Sequence, residues 1–183
     1  MSGMTDKPQT QSGIFNSGLY VLVMRLRAAD SIEVGALGRF QFPAGWYLYT
    51  GSASRNLHQR VERHWSLQKK VRWHVDYLST APDLEPVGAV LVPQDPKLTE
   101  CQLNRAVENL VAGSVLAPGF GASDCQAGCP AHLWFSLTPV SLLAVAKVHR
   151  RAALLLPGAG IWEPGPIDLD IDLEIPPQGG PPC

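Results

Sequence analysis

Residues 18–25, GLYVLVMR, constrain this chain more than any other stretch. Six apolar side chains in a row lack the alternation of a half-wet strand. The run is also too short for a helix of ten or more residues, and charge follows at Arg25. It reads as a buried strand. A second strand follows at residues 46–50, WYLYT, entered from the turn Pro43-Ala44-Gly45 and broken by Gly51. Between these two, residues 32–42 read as a pair of short strands around Gly35 and Gly38.

Helical spacing begins after Gly51. Leu57, Val61 and Trp65 recur at i, i+4 and i+8, which predicts a helix over 54–67 with one apolar stripe. Residues 72–78 (RWHVDYL) are extended or start a helix, and 87–92 read as a strand. A helix is expected over 99–111, where Thr99 and Gln102 have capping-box spacing. Residues 117–131 read as a Gly/Cys/Asp loop, 132–136 as a strand and 141–155 as a last helix. The mixed order of strands and helices predicts an α+β fold, a small central mixed or antiparallel sheet flanked by helices.

Hydrophobic residues make up 45% of the 183, enough for a core. Gly and Pro are concentrated at the end of the chain. From Pro157 to Cys183, twelve of 27 residues are Pro or Gly, and all five charges are acidic. The expected organisation is a flexible arm over 1–17, one domain over 18–156 and a disordered acidic tail over 157–183. Within that tail, residues 167–175 alternate Ile/Leu with Asp/Glu. No apolar run reaches the ~18 residues of a membrane span. The opening MSGMTDKPQTQSG has no secretory pattern. With only Cys101, Cys125, Cys129 and Cys183, a cytoplasmic protein is expected, with thiols or a metal rather than disulfides.

A formal net charge of −1 excludes a wholesale basic protein, yet the charge is uneven. Arg55, Arg60, Arg63, Lys69, Lys70 and Arg72 stand against one acid, Glu62, in residues 55–73, with His58 and His64 among them. A basic helix beside aromatic strands is a phosphate-binding pattern, although a solvated helix face would read the same way.

The order of these elements resembles the GIY-YIG nuclease superfamily over about residues 18–112. Its two tripeptides stand here as Gly18-Leu19-Tyr20 and Tyr49-Thr50-Gly51, followed by Ser52-Ala53, the helix residues Arg60-Val61-Glu62-Arg63-His64 and a distal Glu100. The stretches WHVDYL (73–78), EC (100–101), GFGASDC (119–125) and HLWF (132–135) are similar to a compact branch of that superfamily, found alone or fused to endonuclease III-type glycosylases. Tyr20 and Tyr49 lie 29 residues apart, farther than the usual spacing of the two motifs. The hairpin at about 30–42 accounts for the excess, and it must leave both tyrosines facing one cavity.

The resemblance implies a metal-dependent endonuclease that hydrolyses phosphodiester bonds in DNA, on single-stranded or structured substrates, with repair beside a partner protein as its expected use. It implies that Tyr20 takes the proton of the attacking water. A phenol of pKa about 10 needs help for that. Tyr49 would hold water or phosphate, and Arg60 would clamp non-bridging oxygens with its planar fork. Glu100 would ligate Mg²⁺ or Mn²⁺. His64 would contact phosphate or relay a proton, with His74 a second candidate. Arg55, Arg63, Lys69, Lys70, Arg72 and His74 would bind nucleic acid.

A separate constellation is Cys125-x3-Cys129-x2-His132, with Cys101 beside Glu100 as a fourth ligand. Such a Cys3His set suits structural Zn²⁺ and would pin the loop to the Glu100 helix. Loop thiols and a strand histidine are the plain alternative, and Asp124 is a further candidate to line the site. Two other readings of the whole chain stay open: a nucleic-acid-binding module without catalysis, and an interaction domain organised by zinc. The acidic tail could also fold over the basic helix as a phosphate mimic. The residues do not decide the oligomeric state.

Overall fold

The computed structural model describes residues 15–162. The fold is α+β. Its centre is a six-stranded sheet in the order β6-β4-β1-β5-β7-β8, with every pairing antiparallel. In chain order the elements are β1 (Gly18–Leu26), β2 (Asp30–Glu33), β3 (Arg39–Phe42), β4 (Gly45–Ala53), α1 (Leu57–Trp65), α2 (His74–Ser79), β5 (Leu84–Pro93), α3 (Glu100–Val111), β6 (Leu133–Ser136), α4 (Leu142–Ala146), β7 (Ala153–Leu156) and β8 (Gly160–Trp162). No helix among the described residues is long and apolar enough to cross a membrane.

The continuous apolar run of β1 has a direct cause. β1 lies between β4 and β5, and both faces of the sheet are covered. Tyr20, Leu22 and Met24 face one core, which also holds Leu57 and Val61 of α1 and Val75 and Leu78 of α2. Val21 and Val23 face the other core, with Leu103 and Val107 of α3 and Val145 of α4. A strand buried on both faces has no polar alternation to show.

The β2–β3 hairpin forms a separate two-stranded sheet and is the insertion that separates the two tyrosine motifs. Val34 and Phe42 are fully buried in the first core, so the hairpin caps the sheet rather than splitting it. The β1–β4 pairing continues without a shift from Gly18↔Ala53 to Leu26↔Gly45.

Two expectations change. The stretch 141–155 is not one helix. Only α4 is helical, and the chain then returns as β7 and β8. Ala153, Leu154 and Leu155 supply both cores and pair with Leu91, Val90 and Ala89 of β5. The free edge of β5 thus outweighs the helical preference of an alanine- and leucine-rich run, which periodicity alone cannot separate from a buried strand. The β7–β8 hairpin also carries the fold to Trp162, past the expected boundary at 156. The tail segment 167–175, residues 1–14 of the expected arm and Cys183 lie outside the described residues, whereas the arm's end is packed, with Phe15 buried in the first core.

Asn104 fastens the second layer to the sheet. It is fully buried on α3, donates to the Ala131 carbonyl at 2.9 Å and accepts from the Trp134 indole N–H at 2.9 Å. An Asn104→Ala protein leaves two buried polar groups without partners, so its stability should fall by about 2–4 kcal/mol. A urea-unfolding midpoint compared with wild type measures it.

Candidate active site and metal centre

The catalytic candidates meet because of strand register and one glycine. Tyr20 of β1 pairs directly with Gly51 of β4, so its phenol lies across the glycine. A Cβ at Gly51 would sit 2.5 Å from the Tyr20 hydroxyl and 2.6 Å from its Cζ. That contact is the physical reason for a glycine in the second tripeptide. Tyr49, two residues earlier on the same face, brings its ring centroid within 6.3 Å of that of Tyr20. The long spacing between the motifs therefore leaves both tyrosines on one cavity of about 300 Å³, lined also by Ser52, Arg60, Arg72, Trp73, His74, Glu100 and Asp124.

Behind Tyr20 stands His64. The apolar stripe of α1 buries Leu57 and Val61, and the same face carries His64 inward at 1% exposure. Its Nε2 is 3.0 Å from the Tyr20 hydroxyl and its Nδ1 is 3.3 Å from Asp76 Oδ1. An ionised carboxylate only accepts, so Nδ1 carries the proton. Burial pulls the His64 pKa below 6.5, with the charges of Lys69 and Arg63 acting the same way against Asp76, and the ring is neutral at physiological pH. Nε2 is then the acceptor and Tyr20 O–H the donor. The result is a directed chain, Tyr20 to His64 to Asp76.

Asp76 is the residue missed in sequence. It is fully buried on α2, where burial by itself would raise its pKa. His64, the two Arg63 N–H contacts at 3.1 Å and the backbone N–H groups of Arg72 and Trp73 at 2.9 and 3.2 Å hold it far below the usual carboxylate range instead. RWHVD contains the acid, but nothing in its spacing announces a partner twelve residues upstream.

Those contacts redistribute the basic residues. Arg63 is committed to Asp76 and the Lys70 carbonyl, and its guanidinium stacks 4.5 Å from the Trp73 centroid. Lys69 is 3% exposed, donates to Ser79 Oγ at 2.7 Å and to the His64 carbonyl, and is brought down to about 8 by burial. Neither faces the cavity, so neither is placed to meet a phosphate. Arg60 does face it, held by the Ser52 carbonyl at 3.1 Å and by the Trp73 ring at 4.8 Å. Arg72 lines the mouth, and Arg55 and Lys70 are exposed. His74 also lines the cavity, but its Nδ1 accepts from the Gly121 N–H at 3.0 Å, and burial lowers its pKa.

Burial raises the Tyr20 hydroxyl well above 10, and the neighbouring Tyr49 and Glu100 push the same way while Arg60 opposes them. Tyr49 is raised too, first by burial and then by the charges of Glu100 and Asp76. Both are therefore neutral phenols at rest.

Glu100 opens α3, whose N-cap is the expected Thr99–Gln102 box: Thr99 N–H donates to Gln102 Oε1 at 2.8 Å and Gln102 N–H to Thr99 Oγ1 at 3.2 Å. The cap sets the first turn, and Glu100 reaches the cavity and His132, whose Nδ1 is 2.8 Å from Glu100 Oε1. By the same donor logic Nδ1 carries the proton. His132 Nε2 is buried and has no nitrogen or oxygen partner among the described residues.

The ligand atoms of Cys101, Cys125, Cys129 and His132 all lie within 4.8 Å of one another. Cys101 Sγ is 3.4 Å from Cys125 Sγ. Tetrahedral zinc thiolates have sulfurs about 3.8 Å apart, as follows from Zn–S near 2.3 Å. This Cys3His cluster could hold a metal ion such as zinc. Burial opposes ionisation of Cys125, but the N–H groups of Cys129 and Ala127 and the adjoining Cys129 and His132 side chains bring its thiol to about 7.

Two outcomes test this geometry. Asp76→Ala leaves Arg63 and His64 without their shared anion and should lower stability by about 3–5 kcal/mol at neutral pH. Because the folded pKa of Asp76 is depressed, its contribution is present above pH 3.8 and is lost as pH falls further. Denaturant titrations at pH 7 and pH 3 should therefore show the wild-type advantage shrinking with acid. Gly51→Ala should displace the Tyr20 phenol and cost about 1–3 kcal/mol, read by thermal unfolding.

No curated protein and no solved structure matches this chain. One family model does, over residues 19–154, about three quarters of the sequence. It begins at β1 and ends in β7, so it takes in both tyrosines, the Asp76 anchor, Glu100 and the Cys3His cluster. The chain belongs to the family described as Domain of unknown function DUF123.

Proposed function

We propose that this chain is a metal-dependent endonuclease of GIY-YIG type that hydrolyses phosphodiester bonds in DNA. The observation that carries the reading is the Tyr20–His64–Asp76 chain ending on a cavity that also holds Tyr49, Arg60 and Glu100.

Phosphodiester hydrolysis needs a base for water, a clamp for the developing charge and help for the leaving oxygen. Tyr20 is too weak an acid to sit as a phenolate at neutral pH. It need not be one. As water attacks phosphorus, its proton passes to the Tyr20 oxygen while the Tyr20 proton moves to His64 Nε2. Asp76 stabilises the imidazolium that results, as a carboxylate does behind a catalytic histidine. Arg60, braced by Ser52 and Trp73, presents its planar fork to non-bridging oxygens. The neutral Tyr49 hydroxyl orients water or phosphate by hydrogen bond.

Glu100 and Asp124 put carboxylate oxygens on a polar, solvent-open cavity, and that donor set fits a hard cation such as Mg²⁺ or Mn²⁺. When bound there, the ion supplies charge neutralisation at the phosphate and at the leaving oxygen. The thiolates and imidazole of the Cys3His cluster fit zinc instead, and we assign that cluster to a structural ion.

Cleavage of a labelled panel of single-stranded, duplex, flap and abasic DNA with Mg²⁺ or Mn²⁺ tests the reading. Tyr20→Phe and Glu100→Ala should each lose about 100-fold or more in cleavage rate while DNA binding changes only a few-fold. A folded wild type that binds every substrate and cuts none would favour a binding module. The active form needs neutral His64, whose pKa lies below 6.5. The rate of cleavage should therefore hold down to pH 6.5 and fall only below it. His64→Gln should slow cleavage by a similar factor and abolish that acid limb.

A further inference from the structure

The molecule has two clusters of metal-ligand chemistry, and one hydrogen bond joins them. His132 presents Nδ1 to Glu100 and Nε2 to the cysteine cluster. We propose that zinc in the Cys3His cluster acts through His132 as the positioning element for Glu100, so that occupancy of one site sets the cation affinity of the other. The proposal rests on the reading of Glu100 as the cavity's cation ligand.

The argument is geometric. The first contact, at 2.8 Å, makes Nδ1 the protonated nitrogen, because Glu100 has only acceptors to offer. The second nitrogen, Nε2, is buried with no nitrogen or oxygen partner among the described residues, and its neighbour is the Cys125 thiol of the cluster. A buried acceptor left in that state is costly, and a metal ligand satisfies it. This is the arrangement in which a metal-bound imidazole donates its other N–H to a carboxylate. The carboxylate is held in one orientation by the bond and the ring in one tautomer.

Around His132 the loop is tied on both sides. His132 N–H donates to the Phe120 carbonyl at 2.8 Å, and its own carbonyl accepts from Thr50 N–H at 2.9 Å, next to Tyr49 and Gly51. Gly121, at φ 71°, lies where a Cβ would meet the Tyr49 ring at 2.7 Å. The loop that carries Cys125 and Cys129 thus packs on the catalytic strand, and α3 carries both Cys101 and Glu100. An ion in the cluster holds the cysteines of the loop against His132, one hydrogen bond from the carboxylate. Without an ion the ring is held by the Glu100 bond and the loop alone, and the carboxylate loses the rigid backing behind its donor.

Outer-shell carboxylates of this kind change metal affinity by about 10–100-fold, and coupling between two binding sites is reciprocal. The test uses the full chain in reducing buffer and two readouts that do not involve DNA. Zinc affinity is measured by competition with a chromophoric chelator for wild type, Glu100→Ala and Glu100→Gln. Mn²⁺ affinity is measured by electron paramagnetic resonance on zinc-loaded and zinc-stripped wild type. The expected result is one zinc per chain, about 10-fold or greater weakening in Glu100→Ala, and partial recovery in Glu100→Gln, which keeps an acceptor oxygen. Stripping zinc should weaken Mn²⁺ by a comparable factor, with the circular dichroism spectrum retained.

Reduced protein that takes up no zinc overturns the proposal. Zinc affinity unchanged in Glu100→Ala overturns it too, while leaving a zinc site in place. Stripped protein that loses its fold would make the cluster a folding element; the Glu100→Ala zinc affinity, measured on loaded protein, then still decides the link. If cleavage is never found but the Glu100→Ala arm behaves as expected, the nuclease reading fails and the coupling stands.

Discussion

Asp76 is the constraint on which the face that carries the candidate site depends. A carboxylate at 0% exposure would be severely disfavoured alone, and the fold surrounds it with a guanidinium, an imidazole and two backbone N–H groups. Each partner is fixed in turn. Arg63 is drawn off the surface, the chain at Arg72 and Trp73 is bent into the start of α2, and His64 is left with one tautomer. That tautomer aims a lone pair at Tyr20. The ordering of α1 against α2 and the polarity of the candidate relay are two results of the same buried charge.

The sheet does the remaining placement. Antiparallel register puts Tyr20 opposite Gly51, and side chains two residues apart share a face, so Tyr49 follows. A one-residue slip between the two strands would put the phenols on opposite faces of the sheet. The β2–β3 hairpin leaves that register untouched because its own apolar residues, Val34 and Phe42, are buried in the first core. Length inserted between two motifs thus changes nothing at the site when the insert brings its own hydrophobic seal.

Much of this could be read from the sequence where a residue's role is local. The β1 run, the Thr99–Gln102 cap and the stripe of Leu57, Val61 and Trp65 follow from short-range rules. The convergence of Tyr20, Tyr49, Arg60 and Glu100 followed only from the ordered resemblance, since no spacing rule links two strands to two helices. Roles that arise from tertiary contact stayed hidden. Lys69 and Arg63 look like members of a basic surface stripe until Asp76 claims them. Residues 153–155 look helical until the open edge of β5 recruits them. Asp76 itself carried no signal, because a buried acid and a solvated acid are written with the same letter.

The chemistry of the two donor sets, as proposed, accounts for their separation in the fold. Sulfur and imidazole ligands suit a borderline-soft ion held permanently, whereas carboxylates on a wet cavity suit a hard ion that keeps its waters. Mixing the sets would give neither ion a good site. Glu100 and His132 stand at the seam, one facing the solvent-open cavity and the other buried at 3% exposure. A 2.8 Å hydrogen bond across that seam passes orientation without passing a ligand. In the proposed reading the buried side of that bond orients a carboxylate whose other side stays open to solvent.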